Sequence, residues 1–363
     1  MRFDRYMEVA LYGEGVGYYA RSDRTPFGPE GDFYTAAHVH PLFARALARR
    51  LRSEFDRLGR PPTFRIVEVG AGDGTLGAGL LAALAPHVPP GRRWDYLWVE
   101  RSAARREELA RRRFESSVTD RFDVSVEESI VATGPFRGAV VGNELLDALP
   151  CRRFVWRSGR WAELGVRLGE DGLDWAEVAN PSPVPPPTLP GGRREGAVIE
   201  VGVGAEAFLR EVADHLAEGC AIFLDYGASE RELIDGHPSG TLSAVRRHTQ
   251  LSDLLDHPGD ADLSVFVNFT RIRSAARTAG LHGTAFRRQS DALVAWGFPD
   301  LVAEARDSAQ GDEGRLRVDL AAKSLLFGFE NFHVLELAAG PAPPDATAAP
   351  DSDPRPAPSG PPR

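Results

Sequence analysis

The stretch FRIVEVGAGDGTL, Phe64 to Leu76, runs from a hydrophobic strand through an acidic residue, Glu68, into a turn carrying Gly70, Gly72 and Gly74. Glycine at such a turn permits positive φ and lets a ligand approach the main chain closely. A junction of this kind holds a nucleoside, although a glycine-rich turn alone also occurs as a plain structural loop. Its spacing, GxGxG, lacks the last glycine of the dinucleotide fingerprint GxGxxG, and no GK[ST] follows, which removes the P-loop reading.

The next expected strand, Tyr96 to Val99, ends in Glu100, where an acidic side chain is placed to accept both ribose hydroxyls. Glu100 stands farther from Gly70 than the roughly 20 residues of a nicotinamide site. S-adenosylmethionine (SAM) fits better: its sulfonium is cationic and it has no pyrophosphate, so Glu68 can sit near it without repulsion.

The chain has 363 residues, 42% hydrophobic and 26% charged, enough for one large domain or two smaller ones with a sizeable core. No apolar run reaches spanning length and no basic, apolar leader stands at the N terminus, so a soluble cytoplasmic protein without a membrane partner is expected. A net charge of −9 argues against a nucleic-acid partner. Lysine is nearly absent while arginine is plentiful, the usage of a GC-rich genome. Cys151 and Cys220 provide no disulfide framework and no CxxC metal pattern, and read as small buried residues.

Helices and strands alternate as in a doubly wound sheet. Phe43, Leu47, Leu51, Phe55 and Leu58 stand at helical spacing, predicting a helix over Pro41 to Leu58. Strand 64–69, a helix from about Thr75, strand 96–100, a helix after Ser102 and strand 138–142 follow. Phe154 to Trp156 and Trp161 to Val166 flank Ser158-Gly159 and predict a hairpin. Its aromatics offer either a homodimer contact or core packing. PSPVPPPTLPGG, 181–192, reads as a loop or linker, 205–218 as a helix stopped by Gly219, Ala221 to Leu224 and Phe332 to Leu337 as strands, and 339–363 as a disordered Pro/Ala-rich tail.

Two more clusters carry chemistry. Asn143-Glu144-Leu145-Leu146-Asp147-Ala148-Leu149-Pro150 follows an apolar strand at its carboxyl end, where open parallel sheets bind ligands. A carboxylate there could orient a guanidinium or an ammonium, or accept its proton; Asp147 could equally cap a helix. The other, Gly28 to Thr35 with Gly15 to Tyr19 ahead of it, is rich in glycine and aromatics and reads as a lid or as an ordinary glycine-rich connection. His38 and His40 form HxH without a companion metal motif, so no metal is expected.

The chain resembles the MidA-type class I SAM-dependent methyltransferases, on GYY at 17–19, GDFYT at 31–35, EVGAGDGTL at 68–76, VERS at 99–102, NELLDALP at 143–150 and FLDYG at 223–227. The resemblance implies a Rossmann-like α/β fold: a mostly parallel seven-stranded sheet with helices on both faces, an N-terminal lid and helix over 1–60, and a methyltransferase domain over 61–338 with an insertion around 152–200. It puts Glu68, Gly70 and Gly72 on the cofactor loop, Glu100 on the ribose, Asp32 and Thr35 on the lid, and Asn143 and Glu144 at the reacting end. It implies SAM as cofactor and, with Glu144, a protein arginine side chain as acceptor. The alternatives are a small-molecule N- or O-acceptor and a non-catalytic assembly protein retaining the fold. Ala37-His38 replaces a usual Pro-Glu, and Phe266, Asn268 and Ser290 depart from the family on the expected acceptor side.

Overall fold

A computed structural model describes residues 1–21, 35–179 and 194–341. Asp32, most of the glycine-rich lid segment, the proline-rich stretch 181–192 and all but the first residues of the tail lie outside the described residues.

Seven strands form the main path of the central sheet: β1 (Arg65–Val69), β2 (Trp94–Val99), β3 (Phe122–Glu127), β4 (Phe136–Asn143), β5 (Leu216–Ala228), β6 (His282–Arg288) and β7 (Phe332–Ala339). Their order is β6-β7-β5-β4-β1-β2-β3, with β7 antiparallel to both its neighbours. A two-residue strand, Val267–Asn268, adds an eighth member parallel to the carboxyl end of β5. The order reverses between β1 and β4, so the loops leaving these two strands diverge and leave a crevice.

Strict alternation divides each strand between two cores. Ile66, Tyr96, Trp98, Val141 and Ile222 face one core, shared with helices Leu42–Arg57, Thr75–Leu84 and Gly311–Phe327. Val67, Leu97, Val140 and Phe223 face the other, covered by helices Val203–His215 and Phe269–Thr278. All five apolar residues expected to line the helix after Pro41 are buried.

The expected helix over 205–218 ends earlier, at His215, and β5 begins at Leu216. Gly219 therefore does not stop a helix: it lies inside β5 at φ +143°, paired with Gly138 of β4, and a Cβ there would stand 1.8 Å from the Gly138 carbonyl oxygen. The strands approach so closely that only glycine fits.

Beyond β4 the chain forms a four-stranded antiparallel sheet from Arg152–Arg157, Arg160–Leu168, Leu173–Glu177 and Val198–Val201. Its first turn uses Ser158 and Gly159, both at positive φ as a type I′ turn requires. Of the hairpin aromatics, Phe154 is buried with Ile199 and Val201, while Trp156 and Trp161 are half-buried and meet edge-on at 5.4 Å. The first helix, Phe3–Tyr12, packs into a third core with Val166, Ala244 and Leu263, carrying Glu8 and Tyr12 to the crevice.

Candidate active site

A cavity of about 460 Å³ opens at the carboxyl ends of β1, β2 and β4. The turn beginning at Gly70 and the Glu100 carboxylate face it together, as do Thr35, Glu68, Asn143 and Glu144. Gly74 and Asp147 do not line it.

Gly70, Gly72 and Gly74 all adopt left-handed φ, at +71°, +56° and +74°. The turn is pinned to β2 by the Gly70 N–H donating to the Val99 carbonyl at 2.9 Å. Gly74 serves packing instead of lining, since a Cβ there would lie 2.6 Å from Leu109. Glu100 ties the turn to the next strand: one oxygen accepts from the Gly72 N–H at 3.0 Å, the other from the Ser102 N–H at 2.9 Å. Burial raises its pKa, opposed by those amides and by Arg105 and Arg106. Each oxygen keeps a second lone pair, so a sugar hydroxyl could still be accepted on either side.

Glu68 borders the cavity, yet its carboxylate turns into the core. Oε2 accepts from the Tyr96 hydroxyl at 2.7 Å and from the Trp98 indole at 2.8 Å, and a Cβ on Gly77 would stand 2.4 Å from it. Burial raises the pKa to about 7 against these two donors. A buried acid that ties β1 to β2 is thus part of the frame of the site.

At the end of β4 the chain turns through Glu144, a non-glycine residue at φ +51°. Such a conformation costs about 1–3 kcal/mol and persists only where the surroundings impose it. Here the Glu144 N–H donates to the Leu224 carbonyl at 2.8 Å, and Asp225 Oδ2 accepts from the N–H groups of Leu145, Leu146 and Asp147 at 3.1, 2.7 and 3.3 Å. Asp225 is fully buried at the end of β5, and burial, with Asp147 and Glu144 nearby, pushes its pKa well up. Asp147 is buried behind the turn and bonded to Tyr226, its pKa raised by burial to about 6. Glu144 itself is pushed up to about 7, first by burial and then by the Asp147 charge, against hydrogen bonds from the Asn143 amide and the Ala36 N–H.

The short helix Ala36–Val39 brings His38 to the cavity wall, its Nε2 3.0 Å from Asp73 Oδ2 and its Nδ1 2.9 Å from Thr35 Oγ1. His40 is used separately, accepting from the Leu42 N–H at 3.2 Å. Among the described residues no group of three His, Cys, Asp or Glu side chains is arranged to hold a metal.

Sequence reasoning missed several members of the site. Asp225 was visible only as part of FLDYG, and its three amide partners lie about 80 residues earlier. Glu128, Ser129 and Ile130 form a wall after β3, signalled by the alternation in FDVSVE. From the first helix, Tyr12 donates to the Ala148 carbonyl at 3.0 Å and its ring lies 4.2 Å below the Arg101 guanidinium, which also pairs with Glu8. Conversely, Phe266 and Asn268 do not line the cavity. Asn268 caps helix Phe269–Thr278 by accepting from the Arg271 N–H at 3.1 Å, and Phe266 packs edge-on against Tyr226 at 5.2 Å.

Left-handed glycines, a strand-end carboxylate and a crevice at the reversal of strand order define a nucleoside-binding α/β enzyme of Rossmann-like type. Three comparisons give the family. A family model of S-adenosyl-L-methionine-dependent methyltransferases matches residues 46–286. The mitochondrial protein arginine methyltransferase NDUFAF7 homolog of Drosophila melanogaster is 29% identical over 301 residues, covering 76% of this chain and 66% of that protein. The mouse protein arginine methyltransferase NDUFAF7 is 27% identical over 297 residues, covering 75% and 65%. The chain thus spans about two thirds of the length of these relatives. A crystal structure from Burkholderia thailandensis, bound to S-adenosyl-homocysteine, superposes with a TM-score of 0.78 at 31% identity, covering 94% of this chain and 88% of that one. The chain belongs to the MidA-type family of class I SAM-dependent methyltransferases. It is a SAM-dependent methyltransferase, and SAM is its cofactor.

Proposed function

We propose that this methyltransferase acts on a nitrogen acceptor, with a protein arginine side chain as first choice, and that the crevice between the β1 and β4 loops holds both reactants. The observation that carries this reading is the half-buried Glu144 carboxylate, held on the same cavity as the glycine turn and Glu100. The relatives named protein arginine methyltransferases support it.

The residues fit the cofactor. Asn143 Oδ1 is buried on the cavity with no hydrogen-bond partner among the described residues, an acceptor left for a ligand donor. Gly70 and Gly72 leave the main chain open to close approach, Glu100 would take the ribose, and Ile130 with its neighbours would flank the base. When bound, SAM supplies a methyl carbon made electrophilic by the sulfonium.

Glu144 would then orient the acceptor nitrogen and take the proton that nitrogen gives up, while Asn143 steadies the carboxylate. A carboxyl group raised to about 7 is matched to that task near neutrality. Positioning accounts for most of the remaining barrier reduction.

Incubation with radiolabelled SAM and lysate, followed by acid hydrolysis, tests the acceptor. Methylarginine in a labelled protein band is the expected result; label confined to small molecules overturns the arginine reading. The departures at Phe266 and Asn268 gave reason to think of a small-molecule acceptor, but neither residue reaches the cavity.

A further inference from the structure

The His38 ring is a wall of the same cavity as the glycine turn and Glu144. The ring bridges two parts of the site. Asp73 belongs to the glycine turn; its Oδ1 accepts from the Thr75 N–H at 2.9 Å and its Oδ2 from the Thr75 hydroxyl at 2.8 Å, so its geometry is fixed by the start of helix Thr75–Leu84. Thr35 lies on the segment whose next residue, Ala36, donates its N–H to Glu144. One imidazole therefore joins that segment to the cofactor turn.

The hydrogen bonds set what its proton can change. A carboxylate only accepts, so Nε2 carries a hydrogen toward Asp73 in either charge state. Thr35 Oγ1 is both donor and acceptor: it can donate to a bare Nδ1 or accept from a protonated one. Titration therefore leaves the contacts in place and changes only the charge. With the imidazolium present the His38–Asp73 pair is neutral; with the neutral ring it carries one negative charge. Asp73 and Glu144 are among the charged groups that face the ring. Helices Leu42–Arg57 and Gly311–Phe327, which also pack on this segment, meet it through the apolar core around Ala36.

We infer that His38 is a specificity-determining residue whose proton sets how strongly the site prefers the cationic sulfonium cofactor over its neutral thioether product. The inference rests on the reading that this cavity holds the cofactor. SAM carries one positive charge more than S-adenosyl-homocysteine, so an added charge on the wall falls almost wholly on the difference between them. Losing the His38 proton leaves Asp73 uncompensated and favours the sulfonium; gaining it favours the product. The Asp73 hydrogen bond, acting against burial, holds the imidazole above the usual histidine range, which brings the change near neutral pH.

The test is calorimetric titration of SAM and of S-adenosyl-homocysteine into wild type and His38→Gln. Between about pH 6 and about pH 8.5, the preference for SAM should rise about fivefold more in wild type than in the variant. The ligand amino groups titrate in this window in both proteins and cancel in the comparison; Glu144, whose pKa the His38 charge lowers, is followed separately by its own titration in the two proteins. Equal pH dependence in the two proteins overturns the inference while leaving the cofactor site intact. Failure of folded wild type to bind either ligand overturns the cofactor-site reading itself. A second readout needs no variant: by reciprocal linkage, the His38 ring followed by NMR should titrate at lower pH with SAM bound than with S-adenosyl-homocysteine bound. Identical titration in the two complexes also overturns it.

Discussion

At the end of β1 the chain turns through Gly70 and Gly72, residues that adopt left-handed φ without steric cost; at the end of β4 it makes a comparable turn through Glu144, which does not. The first turn is held by neighbours in the next strand, through Val99 and Glu100. The second is held from β5, by an Asp225 carboxylate collecting three consecutive N–H groups. The difference teaches how one cavity can be built from two kinds of part: a permissive backbone that lets a ligand come close, and a constrained backbone that keeps an acid where it would not otherwise stay. Strain at the second turn places the Glu144 side chain on the cavity.

The contrast can be broken or sharpened by substitution. The largest effect is expected at Glu144→Gln, which keeps the shape and removes the proton acceptor: kcat should fall about 10²- to 10⁴-fold with SAM affinity much less affected. In wild type, turnover should rise with pH through about 7 as Glu144 loses its proton, and this limb should vanish in the variant. Wild-type turnover by the variant would remove Glu144 from its role.

Next comes Asp225→Ala, which strips the acidic turn of its anchor. Three amides lose their acceptor in a fully buried place, at a cost of about 3 kcal/mol in denaturant unfolding. A loss below about 1 kcal/mol would show the turn to be held by something else.

Glu100→Ala probes the glycine side. It should weaken SAM and S-adenosyl-homocysteine alike by about 10- to 100-fold in calorimetry, the worth of one hydrogen bond to a charged acceptor. Unequal weakening of the two would place Glu100 near the sulfonium instead of the ribose.

The smallest effect is expected at Asn268→Ala, outside the cavity. Loss of the helix cap should cost about 1 kcal/mol of stability with kcat and KM unchanged. A shift in KM for the acceptor would return that residue to the substrate side.

Much of this site was legible before the fold was known, because its parts are local. Gly70, Gly72 and Glu100 each follow an apolar strand directly, and strand alternation with helical spacing at Phe43, Leu47 and Leu51 gave the layers. The fate of Glu68 was not legible: whether an acid at a strand end faces ligand or core depends on what stands beside it, here Tyr96 and Trp98. Gly219 misled for the same reason, since a glycine after a helical pattern reads as a stop until its partner Gly138 is seen.

By itself the sequence determined the alternating α/β architecture, the glycine turn after β1 and the acid closing β2, because periodicity and turn chemistry act over a few residues. Only the tertiary structure decided that Asp225 anchors the turn carrying Glu144, that the first helix carries Tyr12 and Glu8 to the cavity, and that His38 pairs with Asp73. Those contacts join residues dozens to more than a hundred positions apart, and no local pattern encodes which buried charges will meet when the strands are laid side by side.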